Sequence, residues 1–254
     1  MKKKISAIIS VVVVLCIVFY LLGGDLSPIT DKVNDYLPDV ITQTLNPDSS
    51  SNNASAVDIS QVPAYTDKAY IAINNNVPNF SKDELTTKAY EEYTPLDNLG
   101  RCGTAFAVCG KEIMPKANEE RGSISSVNPS GWKQAKYKII SGSYIWNRCH
   151  LIGWQLSAEN ANSKNLITGS RYLNIEGMLI FENMVADYIK ETGNHVAYRV
   201  TPIFEGNNLV CSGVQMEGYS IEDEGDGICF NVYCYNVQPG IVIDYATGAS
   251  KLEK

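Results

Sequence analysis

An arginine and a histidine stand one residue apart in the segment 146–150, which is Trp-Asn-Arg-Cys-His. Two asparagines follow Arg148 and His150 nine positions apart, at Asn165 and Asn174. A histidine can act as a base, an arginine can contact a phosphate, and amide oxygens suit a hard divalent metal ion. These residue types in this order therefore favour metal-assisted cleavage of a phosphodiester bond.

The alternative interpretation of the same residues is structural. A single histidine near a tryptophan is more often a packed or capping residue than a catalyst. Cys149 precedes His150 directly, but neighbours on an extended strand point to opposite faces, which disfavours a Cys-His nucleophilic pair. His195 is predicted to begin a strand with no organised acidic or amide groups around it, so we expect no catalytic role for it. The choice depends on the elements that position His150.

The elements predicted around the motif are two strands and a helix. Residues 137–140 and 144–148 are predicted to pair through a turn at 141–143, which places His150 at the end of the second strand. Residues 166–168 are also typical of a strand. The motif is therefore expected where strands lead into the helix that follows.

Apolar residues at three-to-four spacing predict a helix over 173–191, and the Thr-Gly-Asn segment at 192–194 predicts its end. Strand-length runs on either side predict a sheet on which this helix packs. The acidic residues within 217–226 are expected at a solvated hairpin end. The predicted fold class is α+β with a central antiparallel sheet. The runs that predict its strands are 70–73, 104–108, 195–204, 209–219 and 227–237.

The N-terminus predicts a membrane anchor. Residues 1–4 carry three lysines, and residues 5–22 are uncharged and almost wholly apolar. Eighteen residues span roughly 27 Å as a helix, close to the hydrocarbon thickness of a bilayer. No clear cleavage site follows, which favours an uncleaved signal anchor over a removed signal peptide. The positive-inside rule then places the rest of the chain outside the cell, either anchored or, in the alternative, secreted after cleavage.

The remainder of the chain predicts one domain behind a linker. Residues 23–62 end in a stretch rich in Asn and Ser, which is typical of a flexible tether. Residues 63–254 are long enough for a single domain with one well-buried core.

The net charge of −7 disfavours broad nucleic-acid binding, because non-specific binders usually present a basic surface. Any basic footprint must therefore be local. The candidate cations near the motif are Arg121, Lys133, Lys136, Lys138, Arg148, Lys164 and Arg171.

Six of the seven cysteines lie outside the apolar N-terminal run. Outside the cell they could form disulfides, and six cysteines allow fifteen connectivities. Their spacing lacks the Cys-x-x-Cys pattern of structural zinc sites, which disfavours zinc. Cys211, Cys229 and Cys234 are expected as small buried thiols of strands.

Residues 147–153, 162–174 and 181–183 together resemble the DNA/RNA non-specific endonuclease family. Within it, they are most similar to membrane-bound DNA-entry nucleases and to nuclease toxin domains of type VII secretion effectors. The resemblance covers roughly residues 90–245. It implies the ββα-metal, or His-Me finger, fold, here preceded by the predicted transmembrane helix.

The resemblance also implies roles for individual residues. His150 matches the general base, Asn174 the amide that holds a single Mg²⁺, and Asn165 a second amide at the metal. Mn²⁺ is the alternative ion, and no organic cofactor is expected. Glu182 matches the residue that holds waters of the metal shell. Eight α-helical residues would separate it from Asn174 by about 12 Å and about 80°, too far to bind the same ion directly. The phosphate contacts implied are Arg148, Arg171, Arg121 and Lys164.

The implied activity is hydrolysis of DNA outside the cell, with RNA left open as a substrate, and a toxin role would require an inhibitor or immunity protein. Two residues depart from the family's Asp-Arg-Gly-His signature, Asn147 for Asp and Cys149 for Gly. Two alternatives therefore remain. One is a surface module that binds nucleic acid with weakened catalysis, and the other is a scaffold stapled by disulfides.

Overall fold

Ten strands and two α-helices build the computed structural model, which describes residues 56–253. The helices are α1 (Trp154–Ser157) and α2 (Leu179–Thr192), and a π-helical turn, Leu173–Met178, leads into α2. Short 3₁₀ turns lie at Ile59–Gln61 and Asn74–Asn76. The strands are β1 (Tyr70–Ala72), β2 (Tyr90–Tyr93), β3 (Ala105–Cys109), β4 (Trp146–His150), β5 (Leu166–Ser170), β6 (Val196–Ile203), β7 (Gly213–Ser220), β8 (Cys229–Tyr235), β9 (Ile241–Asp244) and β10 (Ala249–Leu252).

The central sheet is antiparallel, in the order β1-β8-β7-β6-β3-β2. This confirms the predicted α+β class with a central antiparallel sheet. The predicted strands at 70–73, 104–108, 195–204, 209–219 and 227–237 correspond to five of its six members. The sixth, β2, was not predicted, because its Tyr-Glu-Glu-Tyr sequence has no apolar alternation.

Both faces of this sheet are covered, as β3 illustrates. Ala105, Ala107 and Cys109 pack into the large core cluster that also contains the apolar residues of α2. Phe106 and Val108 point to the other face and pack into a second cluster. Successive side chains of a strand alternate between faces, so a strand covered on both sides is apolar throughout.

The segment before β1 also packs on the face of the sheet that is opposite α2. Val57 and Val62 pack against Tyr233 and Tyr235 on the sheet. The packed part of the chain therefore extends upstream of the predicted start at Pro63.

Helix α2 packs with the predicted apolar stripe against the sheet. Phe181, Val185 and Ile189 are buried in the main core cluster. The helix ends where Gly193 adopts a left-handed conformation, φ 80°, and its N–H donates to the Ile189 carbonyl. A left-handed residue at this position satisfies a terminal carbonyl, and glycine does so without strain.

Strands β4 and β5 form a separate antiparallel pair in which His150 is opposite Leu166. The predicted pairing of 144–148 with 137–140 is reduced to one antiparallel bridge between Lys136 and Tyr144, because β4 itself pairs with β5 and residues 137–140 form a turn. The Gln134 side chain occupies the other edge of β4. Its Oε1 accepts from Trp146 N at 3.1 Å, and its Nε2 donates to Trp146 O at 2.7 Å. The partner strand of β4 is therefore β5, which is distant in sequence, and its register with β4 is a long-range property of the fold.

The acidic segment 217–226 is only partly a solvated hairpin end. Glu217 is 3% exposed and forms an ion pair with Arg199 at 3.0 Å. Glu222 binds His195, and Asp223 accepts from the Tyr188 hydroxyl at 2.8 Å. The prediction failed here because a strand from the middle of the sheet carries Glu217 into the core, beside its counter-ion.

The predicted transmembrane segment, 5–22, lies outside the described residues. Within residues 56–253, no helix is both long and apolar enough to cross a bilayer.

The six cysteines of the described region are all free thiols. Five of them are buried, whereas Cys229, expected to be buried, is exposed. No group of three or more His, Cys, Asp or Glu side chains among residues 56–253 could hold a metal ion. The described fold therefore contains no disulfide among its six cysteines.

Candidate active site

A cavity of about 820 Å³ opens beside β4, α1 and the start of α2. It brings together five of the eight residues that the sequence singled out. These five are Arg121, Arg148, His150, Asn174 and Glu182.

His150 is held in one neutral tautomer. Its Nδ1 lies 3.1 Å from Arg121 Nη2, and its Nε2 lies 2.7 Å from the Asn160 carbonyl oxygen. A guanidinium can only donate and a carbonyl can only accept, so Nε2 carries the proton and Nδ1 presents a lone pair. The nitrogen beside Arg121 is therefore the one that can accept a proton.

The electrostatics of this pocket keep the imidazole neutral. Burial lowers the pKa of His150, the Asn160 carbonyl opposes this shift, and the positive charge of Arg121 lowers it further. The net pKa lies below the ordinary histidine value. An imidazole that is neutral near pH 7 is in the state a general base requires.

Asn174 reaches the cavity from the π-helical turn. Its carbonyl accepts from the Leu179 N–H, five residues on, which is the π-type hydrogen bond. Within residues 56–253 its side-chain amide makes no hydrogen bond, although it lines the cavity. An amide oxygen exposed in this way is available to a ligand or a cation.

The π turn changes the expected relation between Asn174 and Glu182. A π turn holds one extra residue, so the eight residues between them count as about seven α-helical positions, and seven positions return to within about 20° of the same face. The 80° offset expected for a regular helix is thus removed, and both side chains line one cavity.

Glu182 is a carboxyl group in a poorly solvated place. Burial raises its pKa to about 7, although the nearby Gln155 amide and the charge of Arg121 both lower it. Gly153 makes room for it, because a Cβ atom there would lie 2.5 Å from Glu182 Oε2. Part of the carboxylate's charge is uncompensated, so a cation at this wall would stabilise the ionised form.

Asn165 is fully buried and does not line the cavity. Its Oδ1 accepts from Ile152 N at 2.8 Å, and its Nδ2 donates to Ile152 O at 2.9 Å. Both ends of the amide are thus used to fix the chain just after β4. In this structure Asn165 holds backbone where the sequence predicted a metal ligand, and its enclosure in the core is the physical reason.

Arg148 lines the cavity but is tied to the segment before β4. Its Nε donates to the Val127 carbonyl, and its Nη2 lies 3.0 Å from both Ser125 O and Asn128 Oδ1. Its guanidinium carbon lies 4.1 Å from the ring centroid of Trp132. Only Nη1 makes no hydrogen bond within the described residues, so this arginine has one donor group left for a ligand.

Arg171 and Lys164 are not brought to this cavity. Arg171 follows β5 and lines a separate cavity of about 190 Å³ together with Ile139. Lys164 is exposed on the loop before β5. Both were implied as phosphate contacts by the family resemblance, and Arg171 follows the end of β5 that lies away from His150, whose partner on β5 is Leu166.

The two departures from the expected motif differ in their surroundings. Cys149 is fully buried in the main core cluster, and burial raises the pKa of its thiol well above the ordinary value. A Cβ atom at Gly169 would lie 2.4 Å from its sulfur, so glycine across the ladder makes room for it. Asn147 lines the cavity instead. The Cys149 side chain thus points to the face opposite its neighbour His150, as expected for adjacent residues of a strand.

His195 has an organised environment that the sequence did not reveal. Its Nδ1 lies 2.6 Å from Glu222 Oε1, and its Nε2 lies 3.3 Å from Glu112 Oε1. Burial lowers the pKa of His195, but Glu222 and then Glu112 outweigh this effect, and the net pKa is raised. The premise of the sequence interpretation, that no acidic group is organised around His195, is therefore wrong, and His195 does not line the His150 cavity.

Several cavity residues had no signal in the sequence. Gln134 acts through the edge of β4, and the Asn160 carbonyl is a backbone group, so only long-range contacts reveal either. The aromatic residues Trp132, Tyr144 and Trp154 also line the cavity. Their clustering near the motif in sequence was the one available indication.

Residues 78–222 match the sequence profile of a family described as DNA/RNA non-specific endonuclease. The matched region contains the strands and the helix that form the cavity. It covers more than half of the chain.

Solved structures of nucleases are similar to this chain. NucA from Streptococcus agalactiae, with a magnesium ion bound, is 26% identical with a TM-score of 0.65, over 77% of this chain and 92% of NucA. The Sda1 nuclease with a bound zinc ion is 28% identical with a TM-score of 0.55, over 65% of this chain and 80% of Sda1. A protein named as an extracellular endonuclease, 18% identical with a TM-score of 0.51, covers 74% of this chain and all of its own and shares the fold.

Proposed function

The chain belongs to the DNA/RNA non-specific endonuclease family, and from that premise we propose that it hydrolyses phosphodiester bonds of DNA with His150 as general base and one divalent metal ion. The observation that carries the proposal is the tautomer of His150, whose Nδ1 lone pair faces a cavity that also holds Asn174 and Glu182. RNA is a second candidate substrate, because contacts to the phosphate backbone do not by themselves select a sugar.

His150 performs the proton transfer. Nδ1 takes a proton from the water that attacks phosphorus, while Nε2–H stays bonded to the Asn160 carbonyl and stabilises the imidazolium that forms. The attacking oxygen becomes bonded to phosphorus, and the bond to the 3′ oxygen breaks. Arg121 now lies where this water must sit, so substrate binding must draw its guanidinium away from Nδ1.

Arg121 and Arg148 are the cations that contact the phosphate of the substrate. Arg121 is exposed, and its long side chain can turn from His150 to a phosphate oxygen. Arg148 is held in place, and its remaining donor group, Nη1, can contact the substrate without reordering the side chain. Arginine donors aimed at developing charge stabilise the transition state. We assign no part in this step to Arg171 and Lys164, which lie outside the cavity.

The residues at the cavity fit a divalent cation. Asn174 offers an amide oxygen without a partner in the described region, and Glu182 offers a half-buried carboxylate whose raised pKa indicates uncompensated charge. Oxygen donors favour Mg²⁺, with Mn²⁺ as the alternative, over zinc. When bound, such an ion neutralises charge on the phosphate and on the leaving oxygen. We assign Asn174 to the ion and Glu182 to its water shell, and we assign Asn165 to positioning the chain at Ile152.

We assign the activity of this enzyme to the outside of the cell. This rests on the three lysines of residues 1–4 followed by the apolar run 5–22, which together favour a signal anchor. Removal of a signal peptide is the alternative. Fractionation of the producing cells tests both, since anchored protein sediments with membranes and cleaved protein appears in the medium. Protein found only in the cytosol would refute the assignment.

The activity is tested with the purified protein and its His150→Ala variant. Linear, circular and single-stranded DNA, and RNA, are incubated with Mg²⁺ and with chelator. Loss of a general base costs on the order of a hundred-fold or more in rate, so His150→Ala should retain at most about 1% of wild-type activity. Chelator should abolish wild-type cleavage.

His195→Gln is the matched control, because it changes the other histidine, which lies outside the cavity and is held by Glu222. It should cleave like the wild type. Equal rates for His150→Ala and wild type would overturn the assignment of the base. Retention of DNA by the wild type without cleavage would instead support the nucleic-acid-binding alternative.

A further inference from the structure

Aromatic rings form part of the wall of the His150 cavity. Trp132, Tyr144 and Trp154 line it together with the polar site residues. General acid-base hydrolysis of a phosphate needs no aromatic group, so the parts of these rings that face the cavity are available to contact the rest of the substrate. Unpaired nucleobases stack on such rings in many proteins that bind single-stranded nucleic acids.

Tyr144 presents its ring to solvent on a fixed backbone. The residue is 45% exposed, so its ring is open to a ligand in the cavity. The backbone is held by an antiparallel bridge to Lys136 and by the Tyr137 N–H, which donates to Ser143 O at 2.7 Å. Lys136 Nζ lies 4.7 Å from the ring centroid. The ring is thus positioned while one side carries a cation that can also meet a phosphate.

Trp132 is the second flat surface, and Arg148 fixes it. The guanidinium of Arg148 lies over the indole at 4.1 Å and is itself bonded to Ser125 and Val127. Guanidinium planes and indole rings both accept a stacked base. This pair is pre-organised, so a base that stacks on it orders no further side chain.

The charge of the cavity favours stacking over electrostatic binding. Among the residues described, the cations that line it are Arg121 and Arg148, and the full chain has a net charge of −7. Proteins that bind duplex DNA without sequence preference gain most of their affinity from many phosphate contacts. With only these two arginines on its lining and Lys136 beside Tyr144, the cavity offers few phosphate contacts, so stacking on the aromatic wall is expected to supply a larger share of the affinity.

From this we infer that Tyr144 and the Trp132–Arg148 pair stack an unpaired nucleobase next to the scissile phosphate, so that the enzyme prefers single-stranded nucleic acid to duplex. The inference rests on the proposed nuclease function and adds its substrate class. Bases in a duplex are already stacked and paired, so they must be unstacked before they can use this wall. Stacking does not discriminate strongly among bases, which agrees with cleavage of unspecified sequence.

The test is the specificity constant, kcat/KM, on two oligonucleotides of one sequence, single-stranded and duplex, each with one cleavable linkage among phosphorothioates. Tyr144→Leu removes the ring and keeps apolar bulk, whereas Tyr144→Phe keeps the ring. We expect the wild type to prefer the single strand. On the single strand, kcat/KM of Tyr144→Leu should be about five-fold or more below that of the wild type. The kcat/KM of Tyr144→Phe should stay within about two-fold of the wild-type value.

An abasic site beside the cleavable linkage separates stacking from structural damage. On that substrate Tyr144→Leu should match the wild type within about two-fold, because there is no base left to stack. Tyr219→Leu, a tyrosine of β7 outside the cavity, is the control for loss of a ring. Equal losses by Tyr144→Leu on intact and abasic strands, or a wild type that prefers duplex, would overturn the inference.

A wild type that cleaves no substrate would overturn the proposed function, and the stacking inference would still be decided by binding. Fluorescence anisotropy of His150→Ala with the labelled single strand should then show weaker binding after Tyr144→Leu and unchanged binding after Tyr144→Phe. Equal affinities of all three proteins would refute the stacking role.

Discussion

Replacing Asn165 by alanine separates a residue that holds the backbone from a residue that holds a metal. The Asn165 amide is fully buried and makes two hydrogen bonds to Ile152, of 2.8 and 2.9 Å. Alanine removes both partners and leaves a buried N–H and a buried carbonyl of Ile152 without them. The chain that follows, up to Gly153, is the chain against which Glu182 packs.

The expected cost follows from those two groups. Each buried backbone group left unsatisfied costs roughly 1–3 kcal/mol, so Asn165→Ala should lower the free energy of unfolding by about 2–6 kcal/mol. For a domain of this size each 1 kcal/mol shifts Tm by roughly 2–4 °C, which gives a fall on the order of 10 °C. A direct metal ligand at a cavity wall would give the opposite pattern, with Tm nearly unchanged and a higher Mg²⁺ requirement.

The assay combines thermal unfolding without metal and Mg²⁺ titration of nuclease activity well below Tm. The Asn165→Asp variant makes the test more specific. A carboxylate keeps the acceptor for Ile152 N, but it places an oxygen in place of the N–H donor to Ile152 O. Both variants should be destabilised, with half-saturating Mg²⁺ within about three-fold of wild type, a change worth less than about 1 kcal/mol. An unchanged Tm for Asn165→Ala together with a ten-fold higher Mg²⁺ requirement would refute the positioning role and restore Asn165 as a ligand.

Two further predictions follow from titrating groups. Burial raises the pKa of Glu182 to about 7, so protons compete with the cation below that pH, and Mg²⁺ affinity measured by calorimetry should fall up to about ten-fold per pH unit as pH drops from 7. Glu182→Gln should flatten this dependence, and a pH-independent affinity in the wild type would contradict it. For His195 the folded pKa is raised, because Glu222 and Glu112 outweigh the lowering by burial, so its stabilisation is fully present below the unfolded value near 6.5 and is lost as pH rises through the folded pKa. We expect this stabilisation to be up to about 1 kcal/mol, measured as the difference in unfolding free energy between pH 6 and pH 8. The His195→Gln variant should lack this difference. An identical pH dependence in that variant would show that the ion pair contributes nothing.

The strands and the helix were predicted correctly where the pattern of apolar residues depends on neighbouring residues alone. The apolar stripe through Phe181, Val185 and Ile189 predicted α2, and the Thr-Gly-Asn segment predicted its end, because helix periodicity and termination are properties of neighbouring residues. The pairing of β4 was predicted wrongly for the complementary reason. Its partner β5 is distant in sequence, and no pattern within 137–148 indicates it.

The candidate site divides in the same way. The order of Arg148, His150 and Asn174 along the chain determined the expected chemistry, and the structure brings these three residues to one cavity. Their assigned roles stay predictions until the variants are measured. The π turn that places Asn174 and Glu182 on one face had no sequence signal, because it precedes the apolar stripe through Phe181, Val185 and Ile189 and leaves the spacing within that stripe unchanged.

The sequence by itself thus determined the kind of residues available for chemistry and the local elements that carry them. Only the tertiary structure decided which of them meet. Arg171 and Lys164 are close to the motif in sequence yet lie outside the cavity, whereas Arg121 reaches His150 from a distant segment. The tautomer of His150 depends on the backbone carbonyl of Asn160, a group that every residue possesses. Distances between residues far apart in the chain are set by the packing of the whole core, which no short stretch of sequence specifies.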